Sequence, residues 1–309
     1  MNRIGIDFGG TKIEAAALAS SGEIVTRLRT PNPGSYEAAI ACVADLVAEV
    51  EHKGGPCASI GVGMPGSISP RTGLIRNANS LWLNGRNFGA DLEGALGRPV
   101  RLANDANCMA LSEAVDGAAA GAKVVFGAIL GTGCGGGVVI DGKLVEGANG
   151  VAGEWGHTPL PWPKGDRHRA PTCWCGRNGC LETYISGTGF EADYQRSTGR
   201  KRSAPLILED ARGGERWAGE SFDRYVDRLG RALAVIADIL DPDVIVLAGG
   251  MSNVPELYER VPEMVKTYVF SDVWTSRIVK AAHGDSSGVR GAAWLWPLDQ
   301  TPVREPARV

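Results

Sequence analysis

Apolar side chains recur along this chain in two rhythms. Within residues 36–50, Tyr36, Ile40, Val43, Val47 and Val50 fall three or four apart, which predicts a helix with one buried face. Phe222, Tyr225, Leu229, Leu233, Ile236 and Leu240 repeat that spacing, and Asp241-Pro242 predicts where the second helix stops. Around these helices lie short strand-like runs. The first ends at Asp7, and two more, 13–18 and 23–29, meet at Ser21-Gly22 as a hairpin. Further strands are predicted at 59–63, 99–102, 126–130, 137–140 and 244–248, with Asp141-Gly142 as another hairpin turn. Strands and helices alternate in both halves, which is the pattern of an α/β protein.

A length of 309 residues exceeds the usual single-domain size and predicts two domains around a cleft. We expect a smaller α/β domain at 1–115 and a larger one at 116–288, a final helix at 289–297 that returns to the first, and a flexible tail at 298–309. With 22% charged residues and a net charge of -3, the chain has no broad basic field for nucleic acid or an anionic membrane. A small-molecule partner is favoured. No leader-like segment precedes the first strand and no run approaches the roughly 18 apolar residues of a membrane span, so a cytoplasmic protein is expected.

Three strand ends carry glycine: Asp7-Phe8-Gly9-Gly10-Thr11-Lys12, Leu130-Gly131-Thr132-Gly133 and Leu247-Ala248-Gly249-Gly250. Glycine lets backbone N–H groups approach a polyphosphate, and a hydroxyl or lysine adds donors, although a tight turn also uses glycine for purely structural reasons. No segment has P-loop spacing. Gly131, Gly133 and Gly136 satisfy G-x-G-x-x-G, but a strand pattern follows where a dinucleotide fold needs a helix.

Asn104-Asp105-Ala106-Asn107 follows a strand and opens a helix. Either acid or amide can cap that helix, and the Asp105 carboxylate can also serve as a general base. Asp7 can ligate magnesium through water or only brace its turn. Of seven cysteines, Cys42, Cys57, Cys108 and Cys134 sit among small and apolar neighbours as buried free thiols. His157 and Cys173-x-Cys175-x4-Cys180 offer one imidazole and three thiolates, a complete tetrahedral set for zinc, with a cluster of free thiols as the alternative. His52, His168 and His283 fall in regions that look like helix surface or loop.

The order of the three glycine turns resembles the actin-like ATPase (ribonuclease H-like) fold of sugar kinases, two domains with a cleft between them. The run from Ile129 through Gly137, then Gly153-Glu154-Trp155-Gly156-His157 and the cysteine cluster, resembles the ROK family, and the likeness covers nearly the whole chain. It implies ATP-dependent phosphorylation of a hexose 6-hydroxyl, with magnesium, a structural zinc ion on His157, Cys173, Cys175 and Cys180, and a homodimer. By the same resemblance Asp105 is the catalytic base. Gly66, Asn104, Asp105, Glu154, His157 and Glu182 hold the sugar, and Asp7, Gly9, Gly10, Thr11, Lys12, Thr132, Gly133, Gly249 and Gly250 hold the nucleotide. Asn77-Ala78-Asn79-Ser80-Leu81-Trp82-Leu83-Asn84-Gly85 and the segment from His283 to Gly291 are similar to bacterial fructokinases, which makes fructose the expected sugar and adds Asn79 as a contact. Glucose, mannose and N-acetylglucosamine are the alternatives. Some family members are sugar-sensing transcriptional regulators with an added helix-turn-helix, a reading disfavoured here because the first phosphate turn begins at residue 7.

Overall fold

The computed structural model describes residues 1–164 and 170–296, with elements numbered in chain order. They form two compact units, one of residues 1–120, 142–152 and 282 onward, the other of 121–141 and 153–281. The tail at 298–309 and His168 lie outside the described residues.

In the first unit β1 (Asn2–Phe8), β2 (Lys12–Leu18) and β3 (Ile24–Pro31) form an antiparallel meander, and β4 (Cys57–Met64) and β7 (Val100–Asn104) add in parallel on the other side of β1. The sheet order is therefore β3-β2-β1-β4-β7. Parallel neighbours need crossovers, and α1 (Tyr36–Gly54) and α2 (Phe88–Leu96) supply them, with the small pair β5 (Ser67–Ile68) and β6 (Ile75–Arg76) between. Alternation along β1 sends Ile4, Ile6 and Phe8 into one core with Tyr36, Val43, Val47 and Val50 of α1, as their period predicts.

The opposite face of this sheet carries Gly5 and Asp7 and packs against α9 (Ser287–Ala293), which in turn packs on α3 (Asp105–Val115). Glycine in a strand interior is explained here by close approach. A Cβ on Gly5 would lie 2.7 Å from the Ala293 nitrogen, and one on Gly61 would lie 2.8 Å from the Ala292 carbonyl carbon. The helix expected at 289–297 starts earlier, at Ser287, and ends at Ala293.

The second unit repeats part of this plan. Its strands β8 (Val124–Leu130), β9 (Cys134–Ile140), β11 (Val244–Ala248) and β12 (Arg277–Lys280) pair in the order β9-β8-β11-β12, antiparallel first and then parallel. β9 ends at the Asp141-Gly142 turn, where both residues take positive φ, 50° and 71°, and β10 (Lys143–Leu144) after it belongs to the first unit. The core packs Phe126 and Leu130 against Phe222, Tyr225, Leu229 and Leu233 of α7 (Arg216–Leu240), a helix that ends on a left-handed Asp241 before Pro242. The helices α4 (Glu182–Ile185), α5 (Gly187–Thr198), α6 (Ala204–Arg212) and α8 (Glu256–Lys266) complete the unit.

One sequence expectation is corrected in this unit. The glycine cluster before residue 137 was expected to lie between strands, but β9 begins at Cys134 and includes Gly135, Gly136 and Gly137. A Cβ on Gly136 would lie 2.8 Å from the Gly153 carbonyl oxygen and from the Trp155 ring, so glycine at 136 lets the 153–155 segment lie on the strand. No helix among the described residues is long and apolar enough to cross a membrane.

Candidate active site

In the first unit, β1 runs into a turn in which the Gly9 N–H donates to the Lys12 carbonyl (3.0 Å) and the Asn32 amide donates to the Gly9 carbonyl (2.8 Å). Gly10 and Thr11 are exposed, so their backbone groups face solvent at a fixed bend. Asp7 heads a cross-strand row, Asp7-Glu14-Arg29. Glu14 is buried and takes Arg27 at 2.7 Å and Arg29 at 2.5 Å, one guanidinium on each oxygen. Burial, then the nearby charges of Asp105 and Glu14, push the Asp7 pKa up to about 6, while Lys12 and Arg29 oppose the shift. A buried carboxylate raised in this way by neighbouring negative charge forms a setting that a divalent cation would relieve.

Asp105 opens α3 directly after β7. The Ala106 N–H donates at 2.8 Å to both the Asn104 and the Asp105 side chains, and the Asn104 amide reaches the Gly66 carbonyl at 3.1 Å. Asn104 is thus the helix cap. Asp105 spends one oxygen on Ala106, keeps access to solvent and forms no ion pair among the described residues. The protein crowded around it withdraws water from the carboxylate and raises its pKa, with hydrogen bonds from backbone N–H groups and Asn104 pulling the other way. Ala78 lies against Gly66 and Ser80 against Gly10, so the exposed Asn79 is held on the rim joining these two groups. Asn84 secures that loop by accepting from the Ala78 N–H (2.9 Å) and donating to the Ala78 carbonyl (3.0 Å).

In the second unit the other two glycine turns meet. Gly249 has φ +82°, and a Cβ there would lie 2.6 Å from the Leu130 carbonyl carbon and 2.8 Å from the Gly131 nitrogen, so only glycine lets the β11 turn rest on the β8 turn. The start of α5 joins them. The Gly187 N–H donates to the Gly131 carbonyl (2.7 Å), and the Thr188 hydroxyl donates to the Thr132 carbonyl (2.6 Å). Thr132, Gly249 and Gly250 are exposed beside this junction.

His157 ends a short 3-10 turn, Trp155–His157, whose last N–H donates to the Glu154 carbonyl at 3.2 Å. Its ring meets the three cysteines. The donor atoms of His157, Cys173, Cys175 and Cys180 all lie within 4.8 Å of one another, with Cys173 Sγ 3.6 Å from His157 Nδ1 and Cys175 Sγ 3.6 Å from Cys180 Sγ. Tetrahedral zinc with bonds of about 2.3 Å to sulfur separates its thiolates by roughly 3.8 Å, so the donor set and spacing fit that ion. A hydrogen bond from the Arg177 backbone N–H holds Cys175 below the ordinary thiol pKa, whereas burial pushes Cys180 up to about 12.

Glu182 follows the last cysteine by two positions and opens α4. Its Oε2 accepts from the Cys134 N–H (2.9 Å) and its Oε1 from the Trp174 indole (2.6 Å), while the Trp174 ring stands edge-on to His157 with centroids 5.0 Å apart. Within this unit Glu182, His157 and the cysteine cluster therefore form one connected group.

Sequence reasoning missed Trp174, although its place between two cysteines was a usable signal. It also missed the buried Glu14 with its arginines and the buried Glu113. One side chain differs from expectation. Cys42 is half-buried, not buried, because it lies on the outer flank of the α1 apolar stripe. His283, expected on a helix surface or loop, lies in a loop, half-buried, with Nε2 3.0 Å from the Asp116 carboxylate.

The model of the ROK family matches residues 3–298. An N-acetyl-D-glucosamine kinase of Pectobacterium atrosepticum is 41% identical over 300 residues, 96% of this chain and 99% of that one. Among solved structures, a ROK hexokinase from Thermus thermophilus is 32% identical with a TM-score of 0.87, covering 97% of this chain and 99% of its own. A ROK family glucokinase from Streptomyces griseus, in complex with glucose and AMPPNP, is 28% identical with a TM-score of 0.75, covering 95% and 98%. The two-sheet plan is that of the actin-like ATPases, and this chain belongs to the ROK family.

Proposed function

We propose that this protein is an ATP-dependent hexose kinase that phosphorylates the sugar 6-hydroxyl, with Asp105 as the general base. The observation that carries the reading is the state of Asp105, an exposed carboxylate with no ion pair among the described residues, fixed at the head of α3 with its pKa raised. A carboxylate so placed accepts the hydroxyl proton as the oxygen attacks phosphorus, a contribution of about 10²- to 10⁴-fold. Membership of a family that includes sugar kinases supports it.

Gly66, Asn79, Asn104 and Asp105 of the first unit and Glu154, His157 and Glu182 of the second are the proposed sugar contacts. Asp7, Gly9, Gly10, Thr11 and Lys12, with Thr132, Gly133, Gly249 and Gly250, are the proposed nucleotide contacts. Asp7 would hold magnesium near the phosphates when it is bound with ATP, and the ion would there supply charge neutralisation. His157, Cys173, Cys175 and Cys180 would hold zinc, and a set of four protein ligands would give the ion a structural part. A cytoplasmic homodimer completes the proposal.

For the sugar, relatives named N-acetyl-D-glucosamine kinase at 41% identity support that substrate better than the fructose expected from the sequence. Fructose is the second reading and rests on the 77–85 segment. In that segment Asn84 is occupied in holding the loop, which weakens it as a mark of the sugar. The test is ADP release with ATP and magnesium across N-acetyl-D-glucosamine, fructose, glucose and mannose. Fastest turnover per KM on N-acetyl-D-glucosamine is expected. Preference for fructose would replace it, and silence on all four would remove the kinase reading for hexoses.

A further inference from the structure

Trp174 is a large aromatic residue that is 68% exposed, yet its indole N–H has a partner within the protein. That partner is Glu182 Oε1 at 2.6 Å. The other oxygen of Glu182 is fixed by the Cys134 N–H at 2.9 Å, and a Cβ on Gly133 would stand 2.8 Å from it. An ionised carboxylate has about four lone-pair positions. Two are filled by these donors, Cys173 Sγ stands 4.0 Å from Oε1 at the outer limit of a sulfur contact, and the remaining positions are open to other donors. Trp174 is itself placed from both sides, since its chain neighbours Cys173 and Cys175 belong to the four-residue cluster and its ring stands at 84° to that of His157.

We infer that Trp174 is a positioning residue for the sugar: its indole N–H holds Glu182 so that the remaining lone pairs of the carboxylate meet sugar hydroxyls. The inference rests on the hexose kinase reading and deepens it. It explains why the ring is left uncovered, because a sugar bonded to Oε1 must come against the indole. It also gives the cysteine loop a route to sugar affinity, through the residue between Cys173 and Cys175.

Trp174→Phe keeps a ring against His157 and removes only the donor. Titration calorimetry of N-acetyl-D-glucosamine, with fructose in parallel, is run on wild type and variant beside steady-state kinetics, zinc content and urea unfolding. The expected result is a sugar Kd and KM raised about tenfold, the usual worth of one hydrogen bond to a charged group. The kcat and the ATP KM should stay within about threefold, with zinc and the unfolding midpoint unchanged. The wild-type change in tryptophan fluorescence on adding sugar should shrink in the variant. Unaltered sugar affinity in a zinc-loaded variant overturns the inference and leaves the kinase reading standing. Loss of zinc or of stability together with affinity also overturns it, by making Trp174 a support of the loop. A wild type that binds neither sugar sinks the hexose reading and the inference with it.

Discussion

Glu113 gives the sharpest stability prediction. It lies on α3 with no exposed surface and no ion pair among the described residues, yet its carboxylate accepts four hydrogen bonds. Oε2 takes the Ala118 N–H at 2.9 Å and the Ala282 N–H at 2.8 Å, and Oε1 takes the His283 N–H at 3.1 Å and the Ser287 hydroxyl at 3.0 Å. One side chain therefore fastens the end of the 1–120 segment to the start of the segment that begins at residue 282. Glu113→Gln preserves shape but turns one acceptor oxygen into an NH2 group that faces two donors. Ser287 can rotate its hydroxyl away, but a backbone N–H cannot. Leaving a buried donor unsatisfied costs about 1–3 kcal/mol, and with the NH2 group on the Ser287 side only the His283 N–H is left without an acceptor, so we expect a loss of about 1–3 kcal/mol. Glu113→Ala removes all four acceptor contacts and should cost more, a large share of a total stability of about 5–15 kcal/mol. Urea unfolding of zinc-loaded protein, followed by fluorescence and far-ultraviolet circular dichroism, reads this as a lower midpoint at constant slope. A Glu113→Gln midpoint equal to wild type would refute the reasoning, since it would mean that water satisfies those donors as well as the carboxylate does.

Two further predictions concern the metal cluster and Asp7. Cys175→Ser should lose zinc in elemental analysis and weaken sugar binding, because the loop it leaves carries Trp174 and ends two residues before Glu182; full zinc with normal sugar affinity would contradict this. For Asp7 the folded pKa of about 6 lies above the ordinary 3.8, so protonation favours the fold and that contribution is lost as pH rises from about 4 through 6. Asp7→Asn should therefore be more stable than wild type above pH 6 without magnesium, with the gap closing toward pH 4, while its turnover falls. Parallel unfolding midpoints across that range would show the assignment to be wrong.

Periodic features were legible in the sequence. The α1 and α7 stripes, the β2–β3 hairpin and the Asp241 stop all follow from local spacing and turn chemistry, which act within a few residues. The cysteine cluster was legible because a tetrahedral donor set leaves a chemical signature in residue type. Glu113 was not, since its partners lie up to 174 positions away and nothing in its neighbours marks it. The glycines of β9 misled for a related reason. Their local preference is for a turn, and only the 153–155 segment packed on them explains an extended conformation.

The central claim is that Asp105 is the base of a sugar kinase, and the most direct measurement is single-turnover phosphorylation by Asp105→Asn at saturating ATP and sugar. The account predicts a rate lowered about 10²- to 10⁴-fold, with ATP affinity, zinc content and unfolding midpoint retained. A variant that turns over at the wild-type rate would contradict it.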